Sequence, residues 1–164
     1  MRRWFLAALV LGFMALAPAA AHAGWILEGS VGKGAIVSPS PAKATQTNLM
    51  LAPGVGLLAD ILRLQVGFVG DLPDIKNSKF DLQFRPMLTV APPILPLYGR
   101  AIFAIANVFH NNGSKTVFAY GAAAGLKFGL GPVGVFAEAG FLPRSVAARI
   151  NWVIEGRAGV ALFF

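Results

Sequence analysis

KFDLQFRPMLTVA, residues 79–91, changes character at every step. Lys79, Asp81, Gln83, Arg85, Met87 and Thr89 share one parity; Phe80, Leu82, Phe84, Pro86, Leu88 and Val90 share the other. Successive side chains of a strand point to opposite faces, so this period of two predicts an extended segment with one polar and one apolar face. The fold then depends on which face looks outward, and the rest of the chain answers that.

The 164 residues are 56% hydrophobic and 13% charged, with a mean hydropathy of +0.66. That is more apolar than an ordinary soluble domain. Yet no helix-length apolar span runs unbroken. Pro86, Pro92, Pro93, Pro96 and Arg100 cut the region 84–109, and glycines together with Lys127 and Glu138 cut 117–142. Inside a bilayer every backbone N–H and C=O must be satisfied by the protein itself, which leaves helices or closed barrels. With helical spans disfavoured, the barrel remains, and its signature of about ten alternating residues between turns is the pattern at 79–91.

Turn signals divide the chain into eight such segments, 25–36, 47–58, 61–70, 79–91, 97–109, 116–128, 133–142 and 151–164. Connections 59–60, 92–96 and 129–132 are short; 37–46, 71–78, 110–115 and 143–150 are longer and mostly more polar. An up-and-down barrel has short turns at one end and long loops at the other. An even strand number brings both chain ends to the short-turn end, where the first and last strands can pair and remove the open edge. The fold expected is all-β, an eight-stranded antiparallel up-and-down transmembrane β-barrel forming one domain over 24–164.

Glu28, Arg63, Asp81, Arg85, Arg100, Lys127, Glu138, Glu155 and Arg157 all stand opposite the most apolar residues of their segments. An Arg or Lys on the lipid face near the midplane costs about 2–4 kcal/mol, so charges segregated to one parity belong inside. Eight strands enclose only enough room for side chains. The expectation is a lumen plugged by ion pairs, with a narrow pore as the rival. Gly32, Gly34, Gly54, Gly56, Gly121, Ala123 and Gly125 share the inward parity and offer room for water. A new arginine is expected to be milder at inward Thr89 than at outward Leu88. Trp25, Phe128 and Phe164 at one end, with Phe68, Phe80, Phe118, Phe141 and Trp152 at the other, place outward rings at two levels, as membrane girdles do. Lys33 and Asn107 interrupt the outward pattern near the long-loop end.

The stretch RAGVALFF, 157–164, puts Ala158, Val160, Leu162 and Phe164 on one side and Arg157, Gly159, Ala161 and Phe163 on the other. Arg157, Gly159, Leu162 and Phe164 fill a spacing that resembles the C-terminal assembly signal of bacterial outer-membrane barrels. Residues 1–23 have a charged start (Arg2, Arg3), an apolar run over 4–16 and small residues at Ala21 and Ala23, the three regions of a signal peptide. Cleavage is expected before Gly24.

As a whole the pattern resembles the small eight-stranded outer-membrane barrels of the OmpA/OmpX type. The resemblance implies an integral protein of the Gram-negative outer membrane, reached by export through the periplasm, with a structural or interaction role at the cell envelope. It also implies the outer-membrane insertion machinery as a partner in assembly, and outer-membrane lipids and lipopolysaccharide as surroundings. Lys43, Lys76, Lys115, Arg144 and Arg149 against Asp71 and Asp74 make the long loops basic, which suits an anionic lipid surface.

Chemistry is sparse. The chain has no cysteine, hence no disulfide framework and no thiol chemistry. His110, the one histidine after the leader, lies in FHNNGSK with Ser114. Some eight-stranded outer-membrane proteins are lipid A hydrolases or acyltransferases with a His and a Ser near the outer rim. In lipid A deacylases the pair falls within a strand as His-x-Ser-Asn. Here His110, Asn111, Asn112, Gly113 and Ser114 read as a hairpin turn, with Asn-Gly supplying positive φ, and no acid is assigned to orient His110. No enzymatic activity is expected, a lipid A-modifying enzyme being the alternative. One histidine and scattered aspartates give no metal-ligand spacing, and Asp71 and Asp74 around Pro73 read as a turn. No cofactor is expected. The formal charge of +7 is spread along the chain and not clustered, which argues against nucleic acid.

Overall fold

The computed structural model describes residues 24–38, 43–45, 47–72, 82–106, 117–146 and 149–164. Its strands are β1 (Gly24–Ser38), β2 (Lys43–Ala44), β3 (Asn48–Leu57), β4 (Leu62–Asp71), β5 (Leu82–Val90), β6 (Leu97–Ala106), β7 (Val117–Leu130), β8 (Val133–Val146) and β9 (Arg149–Phe163). The eight long strands pair antiparallel in chain order, and β9 pairs back with β1, so the sheet closes into a barrel. The closing ladder runs from Ile26↔Phe163 to Ser38↔Trp152, with a register shift between Ile36 and Ser38. Trp25 and Phe164 exchange backbone hydrogen bonds at 3.1 and 2.9 Å, which ties the two ends of the barrel strands together at the short-turn end.

Two features of the long-loop end depart from the sequence reading. The two-residue β2 lies within the connection 37–46 and continues the edge of β1 beyond the start of β3, pairing Ala35↔Ala44 and Ile36↔Lys43. Thr45 fastens it, taking the Gly34 N–H on Oγ1 at 2.9 Å and donating its own N–H to the Gly34 carbonyl at 2.8 Å. So short a strand carries no readable period. The connection 143–150 is also not a long loop: β8 continues to Val146 and β9 begins at Arg149, with Pro143↔Trp152 and Arg144↔Asn151 in register. Pro143 reads as a breaker in sequence, but within a ladder a proline removes only one donor. Here it is fully buried, and its carbonyl accepts from Gln83 Nε2 at 3.2 Å.

At the short-turn end, Gly131 supplies the positive φ of the β7–β8 turn. The β3–β4 turn has no glycine, yet Leu58, Ala59 and Asp60 stand at φ 53°, 53° and 64°. Each L-residue there costs roughly 1–2 kcal/mol, so this turn is strained. Part-way along the wall, Val66 lies between two prolines. The β3–β4 register skips Ala52 and Pro53, the β5–β6 register skips Arg85 and Pro86, and Val66 pairs with Pro86. Prolines give no N–H, which is why pairing lapses on these sides.

Among the described residues the outward face is largely apolar, with Leu51, Leu64, Leu88, Val135 and Val160 exposed along it. Trp152 stacks on Phe141 at 5.0 Å and meets Tyr120 edge-on at 6.1 Å near the long-loop end; Trp25, Phe128 and Phe164 are exposed at the other. Lys33 is exposed, as its parity requires. Phe80 and Asn107 lie outside the described residues.

Gly159 of the terminal stretch has a steric reason. A Cβ there would overlap the Gly29 carbonyl and sit 2.5 Å from Ser30 Cβ, so only glycine lets β9 lie this close to β1.

Candidate functional site: a charged lumen

The alternation of each strand carries Glu28 on β1, Arg63 on β4, Arg85 on β5, Arg100 on β6, Lys127 on β7, Glu138 on β8, and Glu155 and Arg157 on β9 into the lumen. All are buried except Lys127, which is partly exposed. Asp81 lies outside the described residues.

Seven of these side chains form one chain of alternating sign. Arg63 Nη1 is 3.9 Å from Glu28 Oε1, and Glu28 Oε2 is 2.8 Å from Arg100 Nη2. Arg100 Nη1 is 3.3 Å from Glu138 Oε2, whose Oε1 is 3.8 Å from Arg157 Nε. Arg157 Nη2 then meets Glu155 Oε1 at 2.6 Å, and the same oxygen meets Arg85 Nη1 at 3.2 Å. Each glutamate therefore lies between two guanidinium groups. Buried charges are tolerated only when paired and hydrogen-bonded, and planar guanidinium forks suit carboxylates better than ammonium groups do.

Neutral groups extend the network, though Arg85 Nη2 and Arg157 Nε are buried without a hydrogen bond. Asn48 donates Nδ2 to Glu155 at 3.2 Å and accepts from Arg157 on Oδ1. Arg157 also donates to Ser30 Oγ at 3.1 Å, Arg85 Nε donates to Gln83 Oε1 at 3.1 Å, and Arg100 Nε to Thr89 Oγ1 at 3.0 Å. The Tyr98 hydroxyl donates to Glu138 at 2.7 Å. Sequence reasoning missed Ser30, Asn48 and Tyr98. A signal existed for two of them, because Ser30 and Tyr98 each stand two residues from a named lumen charge, Glu28 and Arg100, on the same parity.

Three expectations about the lumen change. It is not polar throughout, since Met50, Val69, Met87, Ile102 and Leu142 form a buried apolar cluster within it. The inward glycines make room for large side chains: a Cβ on Gly32 would sit 2.8 Å from Arg157 Nη2, and one on Gly67 2.9 Å from Met50 Sδ. Thr89 is fully buried against Arg100 and Gln65, so an added arginine there is expected to meet like charge in a filled space and not an open polar lumen.

At the short-turn end the chain of charges stops at Arg63, beside a cavity of about 580 Å³. Among the described residues no three His, Cys, Asp or Glu come together as metal ligands, and no helix is long and apolar enough to cross a membrane, which says nothing of strands. His110, Ser114 and Asp74 lie outside the described residues.

No protein-family model and no curated protein matches the chain. Among solved structures it is similar to Neisserial surface protein A (NspA), with a TM-score of 0.56 and 14% identity over 86% of this chain and 97% of that one. The likeness is one of fold, the closed eight-stranded antiparallel barrel of outer-membrane type that the segment pattern predicts.

Proposed function

We propose that the chain is a small integral protein of the Gram-negative outer membrane with a structural or interaction role at the cell envelope, its lumen a plug of ion-paired side chains. The observation that carries this reading is the alternating chain from Arg63 to Arg85, enclosed by a wall that is apolar outside. Water-filled channels need a free lumen, and eight strands leave little once arginines occupy it. In this reading the short turns face the periplasm and the long loops the cell exterior, among outer-membrane lipids and lipopolysaccharide. Leu162 and Phe164, exposed on the outward side of β9 and its end, together with Arg157 and Gly159, are the residues offered to the insertion machinery.

Membrane fractionation with heat-modifiable gel mobility tests location and fold together, and planar-bilayer recording tests the plug. The expected result is an outer-membrane protein with two gel forms and no discrete conductance steps. Reproducible steps with a selectivity altered by Arg85→Ala would replace the plug with a narrow pore. Altered lipid A masses in expressing cells would favour the lipid A-modifying enzyme instead.

A further inference from the structure

On the outward face a groove of about 680 Å³ crosses the wall from β3 to β7. Its floor is backbone, where Gly54↔Gln65, Gln65↔Met87, Met87↔Ile102 and Ile102↔Gly121 follow one another in register. Gln65, Met87 and Ile102 are buried, their side chains turned inward. One bank is Val55, Leu64, Leu88 and Ala101; the other is Pro53, Val66, Pro86, Phe103 and Tyr120. This second bank lies where the β3–β4 and β5–β6 ladders lapse, at Pro53 beside Val66 and at Pro86 beside Phe103. Neither an ion-paired lumen nor a uniform wall calls for prolines there. Their rings lose no rotamer freedom on contact, so the bank is rigid before anything meets it. Ala101, in register with Leu88 on one side and Ala122 on the other, keeps the trough open.

Shape, charge and course single out one kind of occupant. At about 4.8 Å between neighbouring strands the groove is about 19 Å long, and one side-chain repeat makes it about 7 Å wide, so its mouth covers roughly 130 Å². A second copy of the chain would need about 800 Å² on each partner, whereas a single extended hydrocarbon chain fills such a trough. None of the lining residues is charged, and the Gln65 amide faces Thr89 in the lumen. At β7 the groove ends on Tyr120, whose ring meets Trp152 edge-on at 6.1 Å in the aromatic level near the long-loop end. At β3 it ends on Pro53, midway along that strand. It therefore descends obliquely from a head-group level to the middle of the wall, as an acyl chain does beneath its head group.

We propose that this groove seats an acyl chain of lipopolysaccharide, with the head group at the level of Tyr120 and the rest of the lipid in the surrounding leaflet. The site rests on the outer-membrane reading, which puts the long-loop end at the outer leaflet. Lipid tails are as apolar as leucine, so the preference comes from van der Waals packing against the rigid bank.

The test is native mass spectrometry of the folded barrel from mixed micelles holding equal amounts of lipid A and phosphatidylethanolamine as probes. Wild-type protein is expected to carry one lipid A molecule. Ala101→Phe fills the trough from its bank and is expected to lower that occupancy about tenfold, because each close atom contact contributes little and on the order of ten are lost. Ala137→Phe, on the exposed face of β8 away from the groove, is expected to leave it unchanged. A wild-type barrel with normal heat-modifiable mobility and no lipid adduct overturns the site and leaves the outer-membrane reading intact, whereas a chain that never folds into micelles overturns both. Equal occupancy in Ala101→Phe, phosphatidylethanolamine in place of lipid A, or a pair of barrels that Ala101→Phe separates each overturns the site as well. If Ala101→Phe fails to fold, Ala101→Leu decides by the same readout.

Discussion

Arg85 and Arg63 end the same chain of charges and stand on the same inward parity, yet they live in different surroundings. Arg85 is 1% exposed, with Nε on Gln83 and Nη1 on Glu155. Arg63 reaches its glutamate at 3.9 Å, leans on the Asp60 carbonyl at 3.4 Å and lies 4.9 Å from the Phe163 ring centre, at the edge of an open cavity. Parity decides which side of the wall a charge occupies; its position along the lumen decides whether water can share in its solvation. At the deep end one carboxylate is shared by two close guanidinium groups, whereas at the mouth the last guanidinium holds its carboxylate at 3.9 Å.

The sharpest way to break this contrast is to remove the carboxylate that Arg85 and Arg157 share. Glu155→Ala leaves two guanidinium groups buried without it and is expected to destabilise the barrel by about 3–5 kcal/mol in reversible unfolding from lipid vesicles. A loss below about 1 kcal/mol would mean that the deep network is not what holds the lumen. Next comes the wall. Leu88→Arg, outward and away from both ends, is expected to cost about 2–4 kcal/mol in the same titration, and Trp25→Arg at the short-turn end about 0–1 kcal/mol. Equal values would remove the distinction between the middle and rim of the apolar face. The smallest effect is expected at the mouth, where Arg63→Ala should cost about 1 kcal/mol because its contact with Glu28 is long, at 3.9 Å, and Glu28 keeps Arg100 at 2.8 Å. A loss as large as that from Arg85→Ala would erase the difference between the two ends.

Side-chain direction was the most legible part of the sequence. From 83 to 90, each residue that alternation sends inward is buried, and the same rule locates Glu28, Arg63, Arg100, Glu138, Glu155 and Arg157. This works because a strand has only two faces and a one-residue slip exchanges them all. What alternation cannot carry is distance around or along the barrel. Nothing in the sequence joins Asn48 to Glu155, or Glu28 to Arg100, since these pairs depend on how the strands stagger. The turn at 59–60 was legible in its place but not in its backbone, because of its three left-handed residues, Leu58, Ala59 and Asp60, only Asp60 is of a type that ordinarily accepts that conformation.

Closure of the sheet by β1 and β9 also governs how the barrel is made. All the other main ladders join strands that follow one another, so each is a hairpin that local contacts can form early. Only Ile26↔Phe163 and its neighbours bring together opposite ends of the strand order. Loop-closure entropy rises as (3/2)RT ln n, so doubling any one outer loop adds only about 0.6 kcal/mol. Closing that one seam is therefore the step expected to be slowest, and lengthening the loops far from it should leave folding time almost unchanged.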